Sequence, residues 1–263
     1  MGRGIESDRQ TQPDDVLYRE RPGDWAVHTP ARRDYRNGNK IVLRAVPEGP
    51  ESMARALERW REEFADVPEV DDLRIQWEVD ADTVEREYSL LLDGSIEDAE
   101  FEVDCVMVLD ELVHEEPPPR FHVREAEGPA DWDGIAEIVL GDTDPAHAEF
   151  YEWQLASARR RTEASERVRW WVATDAERVV GSAGLVCTAD HFRFQEVWTR
   201  LENRRQGVAA QLCRAITDDA CHRDPERPVV IVAGRDEPPM RIYARLGFVT
   251  RSYLWTVSAN VTR

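Results

Sequence analysis

The stretch RRQGVAAQL, residues 204–212, places two adjacent arginines just before a glycine, which is followed by a run of mostly small and apolar residues. The segment before it, FRFQEVWTRL at 192–201, is rich in aromatic residues and predicts a β-strand. The segment after it, GVAAQLCRAITDDAC, predicts a helix with an apolar face formed by Val208, Leu212, Ala215 and Ile216. A strand, a glycine loop and a helix therefore follow one another here.

The loop between this strand and this helix has the features of a phosphate-binding site. The first N–H groups of a helix have no partner inside the helix, and the helix dipole adds positive potential there. Small residues at Gly207 and Ala209 would let phosphate approach the backbone, and Arg204 and Arg205 would add charge. The same pattern, R-x-x-G-x-A, also fits an ordinary helix start with solvated arginines, and the loop alone leaves both interpretations open.

Regular elements are predicted on both sides of the loop. Upstream, the patterns predict a strand, two helices and a hairpin at FHVREA, DWDGIAEIVLG, DPAHAEFYEWQLASARRRTEA and VRWWVATDAERVVGSAGLVC. Downstream, they predict a buried strand, a short helix and a last strand at PVVIVAG, PPMRIYARLG and VTRSYLWTVS. Trp170 and Trp171 fall in a predicted strand and are interpreted as core residues. The predicted order is β-α-α-β-β-β-α-β-α-β.

Two motifs in this order of elements resemble those of the GNAT superfamily of acyl-CoA-dependent N-acyltransferases. Members carry a Q/R-x-x-G-x-G/A loop after the fourth strand and a Y-x-x-x-G-F segment after the fifth. This chain has RRQGVA at 204–209 and YARLGF at 243–248, at the family's spacing. The resemblance covers about residues 120–258, and FQEVWTRLENRRQGVAAQL is also similar to a bacterial subgroup of the superfamily.

The resemblance implies a mixed α/β (α+β) GNAT fold, with a central mixed sheet flanked by helices. It implies acetyl-CoA as co-substrate and direct transfer of an acetyl or short acyl group to an amine in a ternary complex. The cofactor-binding residues that it implies are Val197, Trp198, Thr199, Arg204, Arg205, Gln206, Gly207, Val208 and Ala209.

The resemblance also implies two catalytic residues. Tyr243 matches the family tyrosine that gives a proton to the departing thiolate, although it could instead pack under the cofactor arm. Glu196 lies on the strand that often carries the base, although its side chain could equally face solvent. The chain departs from the family at Ala209, where glycine is commoner, and at RDEPPM, where Asp236 and two prolines replace a usual asparagine.

The first half lacks both motifs and is predicted as either a degenerate second GNAT-like domain or an accessory α/β domain. Strands are predicted at DWAVHTP, KIVLRAV, LRIQWEV and FEVDCVMVLDEL, with a polar helix-like stretch before the last. In PESMARALERWREEFADV, an amphipathic helix is predicted from Met53, Leu57, Trp60 and Phe64. DYRNGNKIVL is similar to a segment that precedes the acyltransferase domain in the bacterial subgroup, and its turn at 35–39 fits a surface loop.

Three consecutive prolines, Pro117 to Pro119, predict a domain boundary because they can neither continue a helix nor lie in a central strand. The predicted organisation is a polar tail at 1–15, the accessory or degenerate domain at 16–118, and the acyltransferase domain at 119–263. The acceptor site is predicted in a cleft between the two halves.

The charge composition indicates which classes of binding partner are unfavourable. With 53 acidic and 34 basic residues, the net charge of −19 disfavours nucleic acid and anionic membranes. No apolar run approaches about 18 residues and no signal peptide is evident, so a cytoplasmic protein is predicted. The four cysteines and six histidines are scattered, which predicts free thiols and no metal site.

The acceptor is predicted only as a small-molecule or protein amine, with a preference for a cationic one, and the sequence does not define the oligomeric state. Two functions of other classes stay open at this point. One is a non-catalytic acyl-CoA sensor or regulatory module, and the other is an interaction scaffold with a degenerate pocket.

Overall fold

The computed structural model describes residues 2–83, 99–113 and 119–260, and the chain divides into two compact units. Unit 1 comprises Met1–Val106, Ala233–Arg235 and Thr250–Arg263, and unit 2 comprises Met107–Val232 and Asp236–Val249. Both units combine helices with a mixed sheet, which confirms the predicted mixed α/β class.

Unit 1 is built on the strand order β1-β2-β3-β4-β11-β5, in which β3 and β4 are parallel and β4 and β11 antiparallel. Its helices and strands are α1 (Arg3–Thr11), β1 (Leu17–Arg21), β2 (Asp24–His28), β3 (Lys40–Leu43), α2 (Pro50–Glu63), β4 (Asp72–Asp80), β5 (Glu100–Leu109) and β11 (Phe248–Asn260). A 3₁₀ turn spans Arg36–Gly38. The predicted apolar face of α2 is buried against β4 residues such as Ile75 and Trp77, as its spacing requires.

Within the predicted polar tail at 1–15, residues 3–11 form helix α1, which the sequence did not predict. The backbone N–H groups of Gly4 and Ile5 donate to the two carboxylate oxygens of Glu78 at 3.0 and 2.9 Å. A carboxylate at a helix N-terminus neutralises the helix dipole and satisfies its free donors. The partner lies more than 70 residues away in sequence, so the local composition gave no sign of it.

Unit 2 has the strand order β10-β9-β8-β7-β6, with β9 and β10 parallel and the other neighbours antiparallel. Its elements are β6 (His122–Glu125), α3 (Gly128–Gly141), α4 (Ala148–Ala164), β7 (Val168–Asp175), β8 (Arg178–Cys187), β9 (Phe192–Thr199), α5 (Val208–Arg223), β10 (Val229–Gly234) and α6 (Met240–Leu246). Short 3₁₀ turns span Pro145–His147 and Leu201–Asn203. Elements predicted from the sequence of this half are present in the predicted order.

Helices cover both faces of the unit 2 sheet. A Cβ built on Gly184 would lie 2.6 Å from the ring of Trp170, which belongs to the apolar cluster formed with α3 and α4. A Cβ built on Gly181 would lie 2.5 Å from Val208 of α5. Gly181 thus permits close approach of α5 to one face, and Gly184 leaves room for the ring of Trp170, its neighbour on β7. Trp170 and Trp171 are both buried, as predicted.

The predicted domain limits stay a prediction. Pro117 and Pro118 lie outside the described residues, as does most of the polar helix-like stretch predicted before β5. The compact units divide at Val106 and place the C-terminal strand with unit 1, where β11 pairs along β4 from Ser252–Asp80 to Asn260–Asp72. Strand β11 of the predicted acyltransferase domain thus pairs with β4 of the predicted first domain. Local sequence patterns cannot reveal a pairing between such distant segments.

All four cysteines have free thiols, and Cys105 and Cys213 are buried. In the described ranges, no group of three or more His, Cys, Asp or Glu side chains is arranged to hold a metal ion. Across the same part of the chain, no helix has both the length and the apolar character needed to span a membrane.

Candidate active site

The two parallel strands β9 and β10 separate after the first two residues of β9. Their pairing comprises Phe192 with Val229 and Arg193 with Val230, whereas β9 continues to Thr199 alongside β8. Within the described residues, the β10-facing edge of β9 is therefore unpaired over its second half. An open strand edge presents backbone N–H and C=O groups that an extended ligand can bind.

A β-bulge lies on this open part of β9. Ser182 pairs with Trp198 and Gly184 with Gln195, so Ala183 faces both Glu196 and Val197. Glu196 has a φ of 48°, a left-handed conformation that costs a non-glycine residue about 1–2 kcal/mol. Bulges next to active sites redirect a side chain, and the strain is maintained by the surrounding packing.

The loop after β9 leaves donor groups free at the start of α5. Gly207 caps the helix with a φ of 90°, and the first backbone bond of the helix runs from Gln211 N–H to the Gly207 carbonyl at 3.0 Å. The N–H groups of Val208, Ala209 and Ala210 consequently have no acceptor within the helix. A Cβ built on Gly207 would meet no atom within 4 Å, so the space beside it is open.

The two loop arginines are exposed, and Arg204 contacts both neighbouring elements. Its guanidinium forms an ion pair with Asp142, just after α3, and its Nε donates weakly to the Thr199 carbonyl at 3.4 Å. Arg205 has a φ of 60°, so the backbone turns sharply between the arginines and Gly207. The structure thus brings the end of β9, both arginines and the first turn of α5 together.

Two of the predicted cofactor residues contribute backbone groups or bonds within the loop. The Val208 side chain is buried in the core, which leaves its N–H as the group available to a ligand. The amide of Gln206 donates to the Glu202 carbonyl at 2.8 Å and supports the loop. Whether these residues bind cofactor stays a prediction.

Glu196 is partly buried, and its carboxylate contacts protein groups. Its Oε1 accepts a hydrogen bond from Gln154 Nε2 at 2.9 Å, and its Oε2 accepts one from Trp198 Nε1 at 3.1 Å. Burial raises the pKa of Glu196, while these two hydrogen bonds and the charge of Arg193 lower it. The net effect moves the pKa upward, toward the range in which a carboxylate can serve as a base near neutral pH.

Tyr243 is buried on α6, where its ring packs edge-to-face against Phe248 at 6.4 Å. Burial raises the pKa of its hydroxyl above the ordinary tyrosine value. Helix α6 ends at Gly247 with a φ of 101°, and a Cβ there would lie 1.8 Å from the Glu111 carbonyl oxygen. The glycine of YARLGF is therefore required by both conformation and space, whereas the acid role of Tyr243 stays a prediction.

Sequence reasoning missed three residues around this site: Asp142, Tyr151 and Gln154. Gln154 lies on α4, 42 positions from the carboxylate that it contacts. Tyr151 packs edge-to-face on Trp198 at 5.9 Å. No motif marks these positions, because their roles depend on how α4 packs on the sheet.

Residues 166–250 match the family model described as "Acetyltransferase (GNAT) domain". Among curated protein sequences, none matches this chain significantly. Solved structures with the same fold include a conserved protein of unknown function from Staphylococcus epidermidis ATCC 12228, with TM-score 0.75, 13% identity and 97% of each chain covered.

Two further similar structures carry the family's name. A GCN5-related N-acetyltransferase from Kribbella flavida has TM-score 0.65 and 16% identity, covering 94% of this chain and 91% of that one. A tandem GNAT protein from the clavulanic acid biosynthesis pathway has TM-score 0.56 and 13% identity, covering 96% and 85%. The likeness in fold includes the N-terminal half, and residues 166–250 are similar in sequence to a GNAT acetyltransferase domain.

Proposed function

We propose that this protein is an N-acetyltransferase that moves an acetyl or short acyl group from coenzyme A to an amine by direct attack in a ternary complex. The observation that carries the proposal is the junction of β9 and α5. There an open strand edge leads into the left-handed Gly207, free helix N–H groups and two exposed arginines. These features suit two parts of an acyl-CoA: the extended amide-containing arm and the pyrophosphate.

Each part of the junction suits one part of acetyl-CoA. The N–H groups at the start of α5, with Arg204 and Arg205, would hold the pyrophosphate. The open edge at 197–199 would pair with the pantetheine amides and polarise the thioester carbonyl. Because Arg204 is ion-paired with Asp142, phosphate must compete with that carboxylate for the guanidinium.

The pKa values of the two candidate catalytic groups are shifted in directions that suit the transfer. Glu196 would accept a proton from the acceptor ammonium, after which the amine nitrogen attacks the thioester carbonyl. The new N–C bond forms, the C–S bond breaks, and Tyr243 would supply the proton that the thiolate takes up. The second proton that the nitrogen loses on becoming an amide would restore Tyr243, so that the net product is the one proton held by Glu196. Burial raises the pKa of both groups. A raised pKa strengthens Glu196 as a base and keeps Tyr243 protonated.

The acceptor that this proposal takes is an amine on a small molecule or a protein. The net charge of −19 favours an acceptor that carries positive charge. The same charge disfavours nucleic acid, and we propose no membrane partner.

The test is calorimetric titration with acetyl-CoA and CoA, followed by turnover assays over a panel of amines. Tyr243→Phe should abolish turnover and retain CoA affinity. The matched control is Tyr18→Phe, which removes another burial-perturbed tyrosine hydroxyl, in unit 1, and should change neither. Binding without transfer to any amine would indicate a non-catalytic acyl-CoA sensor, and absence of binding would refute the phosphate site.

A further inference from the structure

The Glu196 carboxylate is held by two side chains from different elements. Gln154 of α4 donates to one oxygen at 2.9 Å and Trp198 of β9 donates to the other at 3.1 Å. Hydrogen bonds to a charged acceptor are about twice as strong as neutral ones. With one donor on each oxygen, rotation about the last side-chain bond is restricted and the carboxylate has one preferred orientation.

The two donors are themselves fixed by packing. Tyr151 and Gln154 are three residues apart and so lie on the same face of α4. Tyr151 packs edge-to-face on Trp198 at 5.9 Å and 87°, which orients the indole that donates to Glu196. The bulge at Glu196 supplies the third constraint, since its left-handed φ aims the side chain at α4.

The surroundings of the carboxylate are largely apolar. A cavity of about 10 Å³ adjoins it, lined by Val139, Gln154, Leu155, Ala158, Trp170, Glu196 and Trp198. Its volume is enough for about one water molecule. Trp170 also lines this cavity, and its buried Nε1 has no hydrogen-bond partner among the residues that the structure describes. In such a medium each donor strongly affects the carboxylate that it contacts.

We propose that Gln154 is a positioning residue, which holds the Glu196 carboxylate in the orientation and charge state in which it takes a proton from the acceptor amine. The inference rests on the proposed function and adds a residue that lies outside the matched motifs. Trp198 acts with Gln154, and Tyr151 acts through Trp198.

Other charges near the carboxylate come from identifiable groups. Arg193 on β9 lowers the pKa of Glu196. On α4, the pKa of the Tyr151 hydroxyl is raised by burial first and then by the charges of Glu196 and Asp142. Removing the Gln154 donor therefore removes one of the three interactions that favour the ionised form, the others being with Trp198 and Arg193, so the pKa of Glu196 should rise further.

The experiment compares pH profiles of kcat/KM for the full-length protein with acetyl-CoA and the best amine from the panel. Gln154→Leu removes the donor and should move the acidic limb upward by about one pH unit, a roughly tenfold loss at pH values below it. Gln154→Lys supplies a charged donor and should move the limb downward. Arg159→Leu, on the same helix, loses only an exposed bond to Glu163 and should leave the profile unchanged.

A purely structural role gives a different result. If Gln154→Leu lowers kcat equally at all pH values, or if both variants leave the limb in place, Gln154 does not position the base. Melting temperature and CoA affinity, measured for each variant, identify a variant that fails to fold. An unchanged pH profile in Glu196→Gln would overturn the inference while leaving the transferase proposal intact.

A second measurement does not depend on turnover. The Glu196 carboxyl carbon, assigned with Glu196→Gln, can be titrated by ¹³C NMR in the wild type and in Gln154→Leu. A higher pKa in the variant supports the inference and an equal pKa refutes it. Absence of turnover in a wild type that shows the expected NMR shift would count against the proposed function alone.

Discussion

Replacing Gly207 by alanine tests whether this glycine serves only the backbone turn or also the binding of phosphate. At a φ of 90° the residue lies in the left-handed region, where a Cβ costs about 1–2 kcal/mol. No atom lies within 4 Å of the added carbon, so steric clash adds nothing to this figure. For a chain of this size we expect the melting temperature to fall by roughly 3 °C per kcal/mol.

The effect on cofactor affinity should exceed the effect on folding. The added methyl group would occupy the open space through which phosphate reaches the N–H groups at the start of α5. Losing that close approach should weaken CoA binding at least about tenfold, equivalent to roughly 1.4 kcal/mol. Titration calorimetry with CoA measures the change in affinity directly, and thermal unfolding measures the change in stability.

Gly23 provides a matched control. It has a φ of 88°, no atom within 4 Å of a built Cβ, and a place in the turn between β1 and β2 of unit 1. Gly23→Ala should therefore lower the melting temperature by a similar amount and leave CoA affinity within about twofold, a difference of roughly 0.4 kcal/mol. Equal CoA affinities in the two variants would refute the assignment of Gly207 to the phosphate site.

Three further predictions concern the same site. Arg204→Ala should weaken CoA binding and Asp142→Asn should strengthen it, by up to about fivefold each, because an exposed ion pair contributes up to about 1 kcal/mol. Titration calorimetry measures both affinities. If both variants change the CoA affinity in the same direction, Asp142 does not compete with phosphate for Arg204. Because burial raises the pKa of Tyr243, deprotonation of this tyrosine should not lower kcat at any pH below about 10, the ordinary tyrosine pKa. The pH profile of kcat measures this. A fall in kcat at a lower alkaline pH that is absent in Tyr243→Phe would contradict the prediction. Gly247→Ala should lower the free energy of unfolding by about 3 kcal/mol or more, since its Cβ would collide with the Glu111 carbonyl; denaturant unfolding measures it, and a loss below 1 kcal/mol would show that this backbone shifts freely.

Local patterns predicted most elements of both halves. The helical face from Met53 to Phe64, the hairpin of β7 and β8, and the strand, glycine and helix at 192–223 depend on residues close in the chain. Strand β1 was not predicted, because its sequence LYRER is polar and mostly exposed. Helix α1 was missed because its N-terminal cap, Glu78, comes from β4.

The sequence by itself determined the mixed α/β class, the order of elements in unit 2 and the position of the glycine loop, since spacing and turn residues act over a few positions. Only the tertiary structure decided that β9 and β10 separate beyond Arg193, that β11 pairs with β4, and that Glu196 meets Gln154. These features join residues that are tens of positions or more apart in the chain. Their geometry depends on how strands align and helices pack. The composition and periodicity of the sequence do not predict that geometry.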